Sequence, residues 1–261
     1  MSALHYEMRG RGKDLVLLHG WGLNLGVWDD LSRALARRFR VIAIDLPGHG
    51  RSDWDPQAAT PAAQAWRVHE TLAPLTQRYS LLGWSLGGQF ALDLAAAMPA
   101  GIERLVLIAT TPKFLAMPGW RCGMAPVLLA RLADALRAGR DAAVDEFLAL
   151  CARGSAPRTA ARVLKQLRHA LSHYGAAHNA ALANGLERLK DGDLRAALPL
   201  LRVPALVIAG AEDRITRAAA SRALAARLAD ARYVEFPGAA HAPFLSHPAR
   251  FATTLSGFLS G

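Results

Sequence analysis

Cysteine is almost missing from this chain: Cys122 and Cys151 are the only two in 261 residues. Two thiols are too few for a disulfide framework or a thiolate metal site. Lysine is also scarce, four residues against 27 arginines. No apolar run approaches the roughly 20 residues that span a bilayer. The opening stretch "MSALHYEMRGRGKDLVLLHG" lacks the basic start, apolar segment and cleavage site of a signal peptide. These absences lead to the expectation of a reduced, cytoplasmic compartment with no membrane partner. What is present is 52% hydrophobic and 20% charged. That suits a globular chain able to bury one large core.

Short apolar runs alternate with longer helical ones. "DLVLLHG" (14–20), "RVIAIDLPG" (40–48), "YSLLGWS" (79–85), "IERLVLIAT" (102–110), "PALVIAG" (204–210) and "ARYVEFPG" (231–238) each end in Gly, Pro or another turn residue. Such runs read as strands buried on both faces of a parallel sheet. The early "LHYEMRG" reads as an antiparallel edge strand. Helical periodicity occupies 27–36, 61–75, 86–98, 217–228 and 248–259. The alternation predicts an α/β fold with a mostly parallel central sheet flanked by helices.

One segment departs from this rhythm. Residues 113–190 carry an Ala/Leu/Arg helical pattern without a strand, broken at Pro118, Pro126, Gly139, Gly154, Pro157 and Gly175. It reads as a helical lid inserted into a core formed by 1–112 and 191–261. The insertion also concentrates the charge. It holds twelve basic residues against five acidic ones, a net +7 of the chain's +10. No nucleic-acid-binding motif accompanies this charge, and no nucleic-acid partner is expected.

Gly83-Trp84-Ser85-Leu86-Gly87 follows an apolar strand and opens a helical run. In that context a G-x-S-x-G pattern is a nucleophile elbow, with small residues relieving the crowding of a sharp turn. The bland alternative is that Ser85 merely caps the helix. A nucleophilic serine needs a base and a group that orients the base, in the chain order Ser, acid, His for this turn. "PALVIAGAEDRIT" supplies Asp213, with Glu212 in reserve, and "YVEFPGAAHAPF" supplies His241. Both follow strands, so both are expected at the same sheet edge as Ser85. Oxyanion donors are expected at the backbone N–H of Leu86 and of Trp21 in "LVLLHGWG". His19 reads as a loop organiser and Gly48-His49-Gly50 as structural. His5, His69, His169, His173, His178 and His247 read as surface or packing residues. No metal or organic cofactor is required by this set.

These stretches resemble the α/β-hydrolase superfamily over essentially the whole chain. Within it, "LVLLHGWGLNLGVW", "LGWSLGGQFAL", "FLAL" and "AAHAPFLSHP" are similar to the carboxylesterases of biotin synthesis that cleave pimeloyl-acyl carrier protein methyl ester. The resemblance implies hydrolysis of that ester by Ser85, Asp213 and His241, releasing methanol. It implies that Trp21 and Leu86 serve the oxyanion and substrate. It also implies that Phe147, Leu148, Ala149, Leu150 and Cys151 line the substrate, although the family commonly has Gln where this chain has Cys151. The expected partner is acyl carrier protein, an acidic protein that an arginine-rich lid would attract. Arg137, Arg140, Arg153, Arg158 and Arg162 are the expected docking cluster, and the chain is expected to act as a monomer. A general short-chain esterase, a lactonase or a C–C bond hydrolase would use the same triad. A non-catalytic binding protein of the same fold is the remaining alternative.

Overall fold

The protein's structure is a computed structural model that describes residues 3–261. Seven strands form one sheet: β1 (Tyr6–Arg9), β2 (Lys13–Leu18), β3 (Phe39–Ile44), β4 (Tyr79–Trp84), β5 (Ile102–Ile108), β6 (Ala205–Gly210) and β7 (Ala231–Phe236). Their spatial order is β1-β3-β2-β4-β5-β6-β7. β1 runs antiparallel to β3 and every other pairing is parallel. Every residue of β4 and β6 is buried, because helices cover both sheet faces. That double burial is why these strands read as continuous apolar runs. β3 stops at Ile44, short of the expected 48, because Asp45-Leu46-Pro47-Gly48 turns the chain and proline has no N–H for the ladder.

Helices α1 (Asp29–Leu35), α2 (Pro61–Leu72), α3 (Leu86–Ala97), α8 (Ala218–Ala225), α9 (Pro243–Ser246) and α10 (Pro248–Ser260) accompany the sheet. α2 begins as its sequence dictates. Thr60 accepts the N–H of Ala63 through its side chain, and Pro61 fills a first-turn position that needs no donor. α3 is the central helix, with nine of its twelve residues buried.

Between β5 and β6 the chain forms α4 (Pro126–Ala138), α5 (Arg140–Ala152), α6 (Pro157–Tyr174) and α7 (Asn179–Asp191), with no strand in the insertion. Pro126, Gly139, Pro157 and Gly175 fall at helix ends, where proline and glycine are tolerated. α6 shows the plainest amphipathic pattern, burying Val163, Leu167 and Ala170 while Arg158, Lys165 and Arg168 face solvent. Residues 113–125 are irregular rather than helical. Pro118, Gly119 and Gly123 interrupt them, and the buried Trp120 ties the loop back by donating to the Lys113 carbonyl at 2.7 Å.

Candidate active site

At the end of β4 the chain turns into α3 through Ser85, whose φ is 55° and ψ −117°. A non-glycine residue held there stores about 1–3 kcal/mol of strain. Hydrogen bonds to the end of β5 and the loop after it help to hold it. The Ser85 N–H donates to the Ile108 carbonyl at 2.9 Å, and Thr110 Oγ1 donates to the Ser85 carbonyl at 2.8 Å. The flanking glycines answer to close approach. A Cβ at Gly83 would lie 2.3 Å from the Gly87 oxygen, and one at Gly87 would lie 2.3 Å from the Leu18 oxygen. Ser85 stands at the cap position of α3, yet its side chain makes no capping bond. Its hydroxyl is engaged elsewhere.

That engagement is His241 Nε2, 2.8 Å from Ser85 Oγ. On the other side of the ring, His241 Nδ1 lies 2.8 Å from Asp213 Oδ2. A carboxylate beside Nδ1 fixes the proton there, which leaves Nε2 as an acceptor for the serine hydroxyl. Asp213 is itself oriented, because its Oδ1 accepts the N–H groups of Ile215 at 2.8 Å and Thr216 at 3.0 Å. All three side chains are buried, with Ser85 only 2% exposed. Glu212 does not reach the histidine. Its backbone N–H donates to the Ala239 carbonyl, and the Gly154 turn packs against its carbonyl.

Leu86 follows Ser85 as the first residue of α3, and Trp21 follows Gly20, where a Cβ would stand 3.5 Å from Ser85 Cβ. The Leu86 N–H belongs to the first turn of α3 and has no intrahelical acceptor. Among the described residues, no backbone acceptor takes the Trp21 N–H either. His19 organises the loop that presents Trp21. Its Nδ1 donates to the Gly20 carbonyl at 2.8 Å and its Nε2 accepts the Leu46 N–H at 2.9 Å. Burial pushes the His19 pKa well below its usual value, so the ring is neutral and able to accept. His49 is likewise buried, with a pKa pushed down to about 4. Beside them, burial raises Asp45 to about 6, although it accepts the N–H groups of Leu25 and Arg51.

The insertion meets the site through α5 and α7. Phe147 packs edge-on against both Trp21, at 5.2 Å, and His241, at 6.2 Å. The Cys151 carbonyl accepts the His241 backbone N–H at 3.2 Å, and burial raises the Cys151 thiol pKa well above its usual value. Leu148 and Leu150 are buried in the core. Ala149 departs from the expectation that it lines substrate, because it is exposed. Two residues along a helix turn about 200°, which carries Ala149 to the side opposite Phe147 and Cys151. The five arginines also depart from a single cluster. Arg137 and Arg140 stand at the start of α5, beside their own carboxylates Asp134 and Asp141. Arg153 and Arg158 stand at its other end, about 20 Å away along a 13-residue helix, and Arg162 lies further on within α6. Arg162 is tied down, its Nη2 donating to the Ser246 carbonyl at 2.6 Å.

Several supporting groups carried no motif. Trp84 Nε1 donates to the His241 carbonyl, and Trp21 Nε1 to the Leu182 carbonyl. Their partners are backbone oxygens 157 and 161 residues away, which side-chain spacing cannot reveal. A groove of about 800 Å³ between α4 and α7 is lined by Leu115, Leu129, Ala133, Ala183 and Leu186, among others. Ser85, His241 and Asp213 do not line it.

A profile of the alpha/beta hydrolase family matches residues 15–254. A pimeloyl-acyl carrier protein methyl ester esterase of Nitrosomonas europaea is 40% identical over 254 residues, covering 97% of this chain and 98% of that protein. The esterase of the same name from Stenotrophomonas maltophilia is 39% identical over 258 residues, covering 99% and 97%. Among solved structures, an esterase from Exiguobacterium antarcticum aligns with a TM-score of 0.87 at 23% identity, covering 99% of this chain and 96% of that one. That last likeness is one of fold.

Proposed function

The chain belongs to the alpha/beta hydrolase family, and from that premise we propose that it is a serine carboxylesterase hydrolysing the methyl ester of pimeloyl-acyl carrier protein. One observation carries the chemistry: the unbroken chain from Asp213 through His241 to the strained, buried Ser85, with 2.8 Å at each link. The full-length likeness to esterases named for that substrate supports the choice of ester.

His241 Nε2 takes the Ser85 proton as Oγ attacks the ester carbonyl carbon. Asp213 holds the tautomer and stabilises the imidazolium that forms. The carbonyl oxygen becomes an oxyanion, and the N–H groups of Trp21 and Leu86 are its donors. The intermediate collapses, the C–O bond to the methoxy group breaks, and methanol leaves with the proton from His241. Water, deprotonated by His241, attacks the acyl-enzyme and releases the free carboxyl group with Ser85 restored. Residues 113–190 serve as the lid over this site, and the acidic carrier protein is drawn to its arginines.

The test is methanol release from carrier-bound pimeloyl methyl ester by the wild-type chain and by Ser85→Ala. Wild-type turnover with loss of at least 10³-fold in Ser85→Ala is expected, since losing a triad member leaves only binding and oxyanion stabilisation. Hydrolysis of short free esters with none of the carrier-bound ester would reduce the reading to a general esterase. Full activity in Ser85→Ala would overturn the nucleophile.

A further inference from the structure

Gly185 occupies the middle of α7, where alanine would favour the helix. What the glycine leaves room for is the pair of residues proposed as oxyanion donors. A Cβ at position 185 would stand 2.7 Å from Trp21 Cδ1, 3.1 Å from Trp21 Nε1 and 3.5 Å from Leu86 Cδ2. The first distance is inside van der Waals contact, so a side chain there forces something to move.

The indole has nowhere to go. Trp21 is fully buried, packs edge-on against Phe147, and donates its Nε1–H to the Leu182 carbonyl one turn earlier on α7. The helix is equally fixed, because it is tied to α2, α3 and the surrounding loops along its whole length. Just before its start, the His178 N–H donates to the Gly48 carbonyl at 2.8 Å. In its middle, Asn184 donates to the Ala59 carbonyl at 3.0 Å and accepts from Gln64 Nε2 at 2.8 Å. One turn on, Arg188 pairs with Asp93 of α3. At its end, Lys113 Nζ donates to the Lys190 carbonyl at 2.9 Å.

We infer that Gly185 is a positioning residue for the oxyanion hole: its missing side chain seats α7 directly on Trp21 and Leu86 and so sets where their backbone N–H groups stand. The inference rests on the proposed donor roles of those two residues. It also makes α7 a fixed wall of the site.

Gly185→Ala tests this in the full-length protein, in both the wild-type and Trp21→Ala backgrounds. The readouts are kcat and KM on a p-nitrophenyl ester, the rate of Ser85 labelling by a fluorophosphonate, and the thermal midpoint. In the wild-type background we expect kcat and the labelling rate to fall at least tenfold, with KM changed less than threefold. In Trp21→Ala the ring is gone, so Gly185→Ala should cost less than twofold. An unchanged kcat in Gly185→Ala, or an equal loss in both backgrounds, overturns the inference. If Gly185→Ala fails to fold, the double variant has the room and must fold and match Trp21→Ala; its failure to do so also overturns it. A wild-type protein that is not labelled at Ser85 refutes the serine-hydrolase reading itself and takes the inference with it. Labelling with no Gly185 effect refutes the inference alone.

Discussion

Trp84, the residue immediately before Ser85, donates its indole N–H to the backbone carbonyl of His241 at 2.8 Å. The Ser85 turn and the His241 loop are therefore joined twice, once through Ser85 Oγ and His241 Nε2 and once through the tryptophan. The second link fixes the main chain of the histidine loop, while the first depends on where the imidazole points. Phe244 closes the arrangement by packing edge-on against Trp84 at 5.0 Å.

Trp84→Phe keeps an aromatic ring but removes the donor. The His241 carbonyl, in a fully buried residue, is then left unpaired, which costs about 1–3 kcal/mol. Urea unfolding should register that loss. The loosened loop should also lower kcat by about tenfold while leaving KM within a few-fold, because a base out of line affects the transition state more than binding. Wild-type stability together with wild-type kcat would refute the link.

The sheet was legible because strands buried on both faces must be apolar throughout, as in "SLLGW" and "ALVIAG". The chain of contacts from Ser85 through His241 to Asp213 was legible because a sharp strand-to-helix turn demands glycines, and the other two residues follow later strands in a fixed order. Ala149 was misplaced because a motif stretch treats neighbours alike, whereas a helix sends residues two apart to opposite sides. The arginines read as one cluster for the same reason: sequence proximity ignores the length of the rod between them. Gly185 and Leu182 were invisible as site residues, since one acts by lacking a side chain and the other through its carbonyl.

Acid should destabilise the fold through its buried histidines. An unfolded histidine binds a proton as pH falls past about 6.5. Folded His49 resists until about 4, and burial holds His19 well below its usual value too. Across that window the unfolded state binds more protons, so stability is full above 6.5 and is lost as pH falls toward 4. Asp45 acts in the opposite direction. Raised to about 6, its folded carboxyl is protonated before the unfolded one and returns some stability between 6 and 4. Two histidines against one carboxylate leave a net decline. His49→Asn removes one of them, and its urea-derived stability should fall between pH 6.5 and 4 by less than the wild type's, by up to about 3 kcal/mol. Parallel curves for the two proteins would count against the argument.

The ion pair of Arg188 with Asp93 ties α7 to α3 with both groups mostly buried. Burial is the largest influence on each, raising the Asp93 pKa and lowering that of Arg188 despite their mutual attraction. The guanidinium also lies over the Phe90 ring, at 4.2 Å. Removing one partner strands the other charge, so Arg188→Met should cost about 3 kcal/mol. Pairing it with Asp93→Leu removes both charges and should recover most of that loss. A double variant as unstable as the sum of the two single ones would show the two groups to be uncoupled and refute the prediction.

Salt should separate the two arginine groups at the ends of α5. Arg153 and Arg158 are exposed, and among the described residues neither is paired with a carboxylate, so their field reaches solvent. Arg137 and Arg140 are partly neutralised by Asp134 and Asp141. If the substrate arrives on an acidic carrier, encounter is steered by the unpaired group, and screening shortens that steering to about 8 Å at physiological salt. On carrier-bound ester at low salt, Arg153→Ala with Arg158→Ala should lower kcat/KM by about tenfold. Arg137→Ala with Arg140→Ala should lower it by about twofold or less. Raising the salt should lower wild-type kcat/KM and bring all three proteins together. On a short free ester none of these differences should appear. A loss of the same size on the free ester would instead trace the effect to the fold of the α5–α6 corner, where Gly154 packs against the Glu212 carbonyl next to Asp213.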